Sequence, residues 1–220
     1  MAGWDREALQ DLRAAVWRRD LAAIRELCEG RDIDDVLQLA GDALLADPDS
    51  PLAREWIERL RRRDLEGDAE LAAVLSGEAE ELRPLTVDLD DVSMLLDGDP
   101  VHGGGRIDLA TGEIWPGSPY DDPIDDDEDD DPERWLWVEA DSRAGWADMA
   151  AFAATVADPA LADRLEHALH GRGPFRGFRA VLDTEPAELT RFHQFAGERS
   201  RGRARRWLAE HGLRPVQRSP

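Results

Sequence analysis

The chain has 220 residues, of which 42% are apolar, enough for a buried core in one large or two small domains. Its 49 acidic residues outnumber its 27 basic residues, and the formal net charge of -22 disfavours general binding to nucleic acids or anionic membranes. The single cysteine, Cys28, excludes an intrachain disulfide and a zinc site built from several thiolates. The N-terminus carries Trp4 and Asp5 in place of the basic start and apolar core of a signal peptide, so we expect a cytoplasmic protein.

Residues 1–83 show apolar side chains at helical spacing almost throughout. Leu9, Leu12 and Val16 are one example, and an Asp- and Pro-containing break at 47–51 separates two later helices. Cys28 lies on the apolar side of one of these patterns, where a buried thiol is expected. No signature recurs at a fixed period, which argues against a helical repeat. The region is therefore predicted to be a bundle of four or five short helices.

Residues 84–220 have a different character. After a short helix near 89–96, residues 105–115 are typical of a β-hairpin with Thr111 and Gly112 at the bend, which places Leu109 opposite Ile114. A tract with nine acidic residues then fills a predicted solvated loop at 120–132. A further strand is predicted at 134–139.

Tryptophans alternate along that last strand. Trp135 and Trp137 share one face, and Leu136 and Val138 share the other. We expect helices to cover the tryptophans, because exposed aromatic side chains are unfavourable unless something packs on them. The alternative is that the tryptophans form a platform for a ligand or a peptide.

Four helices are predicted to close the chain, and the last of them is expected to end at Gly212. Strands followed by helices indicate an α+β fold. We therefore predict a helical N-terminal bundle at 1–83, followed at 84–220 by a small antiparallel sheet packed by C-terminal helices.

The segment Gly171–Arg179 joins the end of one helix to the start of the next and concentrates arginine there. Free backbone N–H groups at a helix N-terminus, Gly173 among them, can converge on an anion with Arg172, Arg176 and Arg179. A phosphate or a carboxylate of a partner would fit. The alternative is that these arginines pair with the chain's own surplus of carboxylates.

A second arginine-rich run, Arg199–Arg206, is a candidate nucleic-acid footprint, although pairing with acidic residues of the same chain is the expected use. Two carboxylate–histidine pairs at helical spacing, which include His167 and His170, supply too few ligands for a metal site. The sequence offers no catalytic motif. We expect no cofactor and no metal.

Four short segments of the second half form a recognisable combination. They are Asp108–Trp115, Trp135–Val138, Gly171–Phe178 and Trp207–Leu208. Together they resemble the bacterial Uncharacterised Protein Family 0158, over roughly Leu85–Leu213. The helical N-terminal region is similar to the extension carried by actinobacterial members. The resemblance supports this division of the chain and implies no activity, because the family has none established.

The function expected from these observations is that of a protein-binding or regulatory module. Its contact surface would include Arg172, Arg176 and Arg179, and the acidic loop would steer a basic partner protein. One alternative is an enzyme for a phosphorylated or nucleotide-like substrate, with the same arginines as a clamp and Asp108 or Glu113 as the base. Another alternative is an acidic, immunity-type inhibitor of a basic partner.

Overall fold

A computed structural model describes residues 3–98, 104–117 and 131–216. The helices are α1 (Arg6–Arg18), α2 (Leu21–Cys28), α3 (Leu37–Ala40), α4 (Pro51–Arg63), α5 (Asp68–Leu75), α6 (Leu89–Leu96), α7 (Ser142–Ala153), α8 (Pro159–Leu169), α9 (Pro174–Leu182) and α10 (Pro186–Glu210). The strands are β1 (Arg83–Thr86), β2 (Gly105–Asp108), β3 (Ile114–Pro116), β4 (Trp135–Val138) and β5 (Leu213–Val216). The fold is α+β, as predicted. The predicted acidic loop at 120–132 lies outside the described residues except for its last two positions.

Local capping residues explain where the helices begin. The Asp5 carboxylate accepts the N–H of Ala8 at the start of α1, and the Ser50 hydroxyl accepts the N–H of Ala53 at the start of α4, next to Pro51. Residues 3–83 form five α-helices, which confirms the predicted helical region. Their apolar faces enclose a core of their own.

This N-terminal core surrounds Trp56, whose side chain is fully buried. The indole N–H of Trp56 donates to the carbonyl of Leu37 at 3.1 Å, so its polar atom is also satisfied. Cys28 lies in the same core, and its predicted burial is confirmed.

The described residues of the second half form two small sheets. The predicted antiparallel sheet has the strand order β3-β2-β4. A two-stranded parallel sheet, in which Arg83 of β1 pairs with Leu213 of β5, was not predicted. Its two strands lie far apart in the sequence, and both contain a proline that hides the usual strand pattern.

The hairpin register differs from the prediction. Ile107, not Leu109, lies opposite Ile114. The turn is longer because the Asp108 carboxylate accepts the N–H groups of Ala110 and Thr111, which holds six residues, 108–113, between Ile107 and Ile114. The shift by two residues leaves every side chain on its predicted face.

The inner face of the antiparallel sheet packs on α6 and α10 through Ile107 and Val138, both of which are buried. The outer face carries the tryptophans. Trp135 is buried and contacts Trp115 and Arg106 of the other two strands, whereas Trp137 is 57% exposed. The prediction that helices cover both tryptophans is therefore wrong for Trp137.

Helix α10 runs unbroken through Gly197 and Gly202 and connects all parts of the molecule. On one side it packs against α6 and α7, and on the other it meets α3 and α5. At the second contact the buried Glu198 carboxylate accepts the backbone N–H groups of Gln38 and Leu39, each at 2.8 Å. Arg205 adds two hydrogen bonds to Asp42 at 2.8 and 2.9 Å. Buried polar contacts therefore join the N-terminal helices to the C-terminal helix.

Candidate protein-binding surface

The junction between α8 and α9 has the backbone geometry that its sequence predicts. Gly173 adopts a left-handed conformation with φ of 70°, and nothing would touch a side chain there. The glycine therefore serves the turn itself and not a close approach of neighbouring backbone. Pro174 then opens α9, where a missing N–H costs nothing.

The three arginines predicted at this junction are exposed, but their surroundings differ. Arg179 pairs with Asp183, the residue that caps the end of α9, at 3.0 Å. Arg172 and Arg176 make no hydrogen bond or ion pair with the residues that the structure describes. Intrachain pairing therefore accounts for Arg179, whereas within the described ranges the guanidinium groups of the other two have no partner.

Two aromatic side chains accompany these arginines. Phe175 is 49% exposed, and the edge of its ring lies over Gly145 of α7, where an added Cβ would be 3.3 Å away. Trp146, the next residue of α7, is 40% exposed. We call Trp146, Arg172, Phe175 and Arg176 the α7–α9 surface.

Helical spacing predicts that Phe175 lies on the inner face of α9 with Phe178 and Leu182. The last two are buried, but Phe175 is not. Its position in the first turn puts it beyond the edge of the aromatic core formed around Phe152. Helical spacing gives the direction of a side chain but does not show where the core ends, so the pattern alone could not reveal this exposure.

The run Arg199–Arg206 behaves differently from the α7–α9 surface. Arg201 binds Asp90 at 2.6 Å, and Arg203 binds both Asp97 and Asp148. Arg199, Arg205 and Arg206 also pair with carboxylates of the chain. These arginines thus fix α10 to its neighbours, which is the intrachain use that the sequence favoured.

A cleft of about 710 Å³ lies between α1, the start of α6 and the hairpin turn. Glu113, the candidate base, lines this cleft with Arg13, Trp17 and Arg201. Burial and the nearby charge of Arg201 lower the pKa of Arg13. The arginines of the predicted clamp do not line the cleft, so the structure does not combine them with Glu113 there.

Asp108, the other candidate base, lies in a structural turn. Its burial would raise the carboxyl pKa, but hydrogen bonds from Ala110, Thr111 and Arg134 outweigh this and lower it. A carboxylate held in the ionised form by several donors is a poor proton acceptor at neutral pH. Its evident role is to shape the hairpin.

The described residues contain no cluster of three or more His, Cys, Asp or Glu side chains placed to hold a metal ion. His170, for example, uses its Nδ1 on the backbone carbonyl of Glu166. No helix in the described ranges has both the length and the apolar character needed to cross a bilayer.

The fold and this surface define an α+β protein whose C-terminal helices present arginine and aromatic side chains together. Residues 118–220 match the model of the Uncharacterised protein family (UPF0158), which confirms the resemblance for the C-terminal part of the chain. The hairpin segment Asp108–Trp115 precedes the matched residues, so its share in the resemblance stays a prediction. No curated protein and no solved structure matches the chain.

Proposed function

We propose that the protein is a protein-binding or regulatory module that contacts its partner through the α7–α9 surface. The observation that carries this proposal is the position of half-exposed Phe175 between two exposed arginines, which have no ion pair among the described residues. Arginine and large aromatic side chains are the types enriched at the energetic centres of protein interfaces.

The charges suggest how such a partner would approach. The formal net charge of -22 attracts a protein that is basic overall and accelerates its encounter at low salt. Arg172 and Arg176 would then bind carboxylates or backbone carbonyls of that partner, because a guanidinium group can only donate hydrogen bonds. Arg179 lies at the rim of this contact with Asp183.

The experiment is affinity capture from a nuclease-treated lysate with the tagged protein and its double variant Arg172→Glu, Arg176→Glu. Both glutamates would lie at or near the N-terminus of α9, where negative charge is favourable, so the variant is expected to fold. We predict one protein enriched by the wild type and reduced at least about tenfold by the variant, as expected for loss of two hot-spot side chains.

The matched control is Arg18→Glu, Arg25→Glu. These two arginines on α1 and α2 are exposed and also lack an ion pair with described residues. The control makes the same change in net charge, so it should capture the partner normally. Equal loss in both double variants would mean that overall charge, and not this surface, holds the partner.

The enzyme alternative has one observation in its favour, the cleft that gathers Glu113, Arg13 and Arg201. Convergent carboxylates and arginines in a concave site are what an enzyme requires and a flat contact surface does not. If capture yields no specific partner, phosphorylated metabolites should next be screened for binding. Glu113→Gln would then be the first variant to compare.

A further inference from the structure

The outer face of the antiparallel sheet carries a row of three side chains from three adjacent strands. Arg106 of β2 lies directly opposite Trp115 of β3 on one side and Trp137 of β4 on the other. The two tryptophans are 47% and 57% exposed. Two exposed indoles on one face of a small sheet are unusual, because the hydrophobic effect favours covering them.

Contacts with the central arginine and with a buried tryptophan hold the row in place. The Arg106 guanidinium carbon lies 5.6 Å from the ring centre of Trp115 and 5.7 Å from that of Trp137. It lies only 4.3 Å from buried Trp135, whose ring also meets the Trp115 ring edge to face. These cation–π and aromatic contacts restrict the exposed rings before any ligand arrives.

The spacing of the two exposed rings suggests what could cover them. They stand on strands two places apart, and neighbouring strands are about 4.8 Å apart, so their backbones are separated by about 10 Å. A polyproline II helix repeats every three residues with a rise of about 3.1 Å each, or about 9 Å per turn. Residues i and i+3 of such a segment, running across the strands, would each meet one indole ring.

The charges around this face also restrict which kind of segment could bind it. Exposed carboxylates flank the two outer strands, with Glu113 before β3 and with Glu133 and Glu139 on either side of β4. The chain as a whole is strongly negative. A segment with basic residues beside its prolines would complement this border, while its proline rings contact the indoles.

We propose that the Trp115–Arg106–Trp137 face binds a basic, proline-rich segment of a partner protein in the polyproline II conformation. The inference shares with the proposed function the view that the protein is a protein-binding module, but it concerns a second surface. Proline-rich segments suit this role because they are already extended and lose little entropy on binding.

The test is a titration of the full-length protein with a synthetic peptide of consecutive prolines flanked by arginines, followed by calorimetry. A peptide with the same arginines around a glycine–serine core is the control ligand. We expect saturable binding of the proline peptide and at least about tenfold weaker binding of the control, since aromatic grooves select the preformed polyproline helix. Equal binding of both peptides, or no binding of either, would overturn the proposal.

Variants locate the site. Trp137→Ala and Trp115→Ala should each weaken the proline peptide at least about tenfold, as expected for an aromatic anchor. Trp17→Ala is the matched control, because Trp17 is 54% exposed on α1 and lines the cleft beside the hairpin turn, not the outer face of the sheet. If neither sheet variant weakens binding, the face is not the site. Self-association that Trp137→Ala abolishes, without peptide binding, would assign the face to a second copy and refute the proposal.

The two proposals fail in different ways. Arg172→Glu, Arg176→Glu should bind the proline peptide like the wild type, because it leaves the sheet unchanged. Loss of lysate capture in that variant tests the α7–α9 surface alone, and loss of peptide binding in Trp137→Ala tests the sheet face alone.

Discussion

Arginine is the only basic residue type in this chain other than histidine, and its surroundings give each copy a different role. Arg205 is 1% exposed and makes a two-pronged contact with Asp42. Arg172 is exposed and has no such contact within the described ranges. Both residues belong to arginine-rich segments of the sequence. The sequence does not distinguish their roles, because the carboxylate that pairs with Arg205 is 163 positions away.

At the same scale, the sequence predicts the burial of Cys28, and this burial determines the reactivity of its thiol. Burial raises the pKa of its thiol to about 11, although the nearby charge of Arg31 opposes the rise. Near about pH 8 the reactive thiolate should therefore be about 100-fold rarer than in an exposed cysteine.

We accordingly predict that iodoacetamide alkylates Cys28 in the native protein at least about 100-fold more slowly than in the urea-unfolded chain. Mass spectrometry of quenched time points measures both rates, and a small thiol in the same urea solution corrects for solvent. A native rate close to the unfolded rate would show that the thiol is not enclosed.

At the scale of elements, local signals were sufficient for the helices and for the three antiparallel strands, but not for β1 and β5 or for the exact hairpin register. Caps such as Asp5 and Ser50 lie next to the helices that they start, so the sequence contains the whole signal. The pairing of β1 with β5 instead joins segments from opposite ends of the second half. The hairpin register also depends on how many backbone N–H groups the Asp108 carboxylate accepts. The residue type alone does not specify that number.

The contact between α5 and α10 depends on two glycines. A Cβ on Gly202 would lie 2.0 Å from the backbone oxygen of Glu66, and a Cβ on Gly67 would lie 2.2 Å from the backbone oxygen of Gly202. Backbone atoms cannot move aside as a flexible side chain can. The two segments therefore approach as closely as they do only because both positions lack a side chain.

We predict that Gly202→Ala lowers the free energy of unfolding by about 3 kcal/mol, because it forces α10 away from α5. Gly197→Ala on the same helix is the control, since its Cβ would meet only the end of the Arg201 side chain, 3.2 Å away. That variant should be neutral or more stable by up to about 1 kcal/mol, from better helix propensity. Urea denaturation followed by circular dichroism measures both, and equal effects would contradict this account of the contact.

At the scale of the whole molecule, α10 is the element that integrates the fold. Arg63 is 11% exposed at its side chain and lies 2.6 Å from Asp68 and 3.3 Å from Glu198, so the N-terminal helices and α10 share one buried charge network. The sequence predicted the two regions but not this network, because its members come from three separate helices, α4, α5 and α10. Composition did predict the acidic character that should steer a partner.

The α7–α9 surface was located in part from the sequence. Gly173 and Pro174 predict the start of α9, and the excess of arginine marks this junction as a candidate contact site. The exposure of Phe175 and Trp146 required the packing of α7 against α9. The proposal that the α7–α9 surface contacts a partner protein is best tested with a probe placed on that surface.

The most direct measurement is photo-crosslinking in cells with benzoylphenylalanine in place of Phe175, compared with the same residue in place of Trp17. Both positions are about half exposed, so they sample random encounters equally. We expect one discrete covalent adduct from position 175 that is lost when Arg172→Glu, Arg176→Glu is added, and no such adduct from position 17. Adducts of equal yield from both positions, or none from position 175, would contradict the proposal.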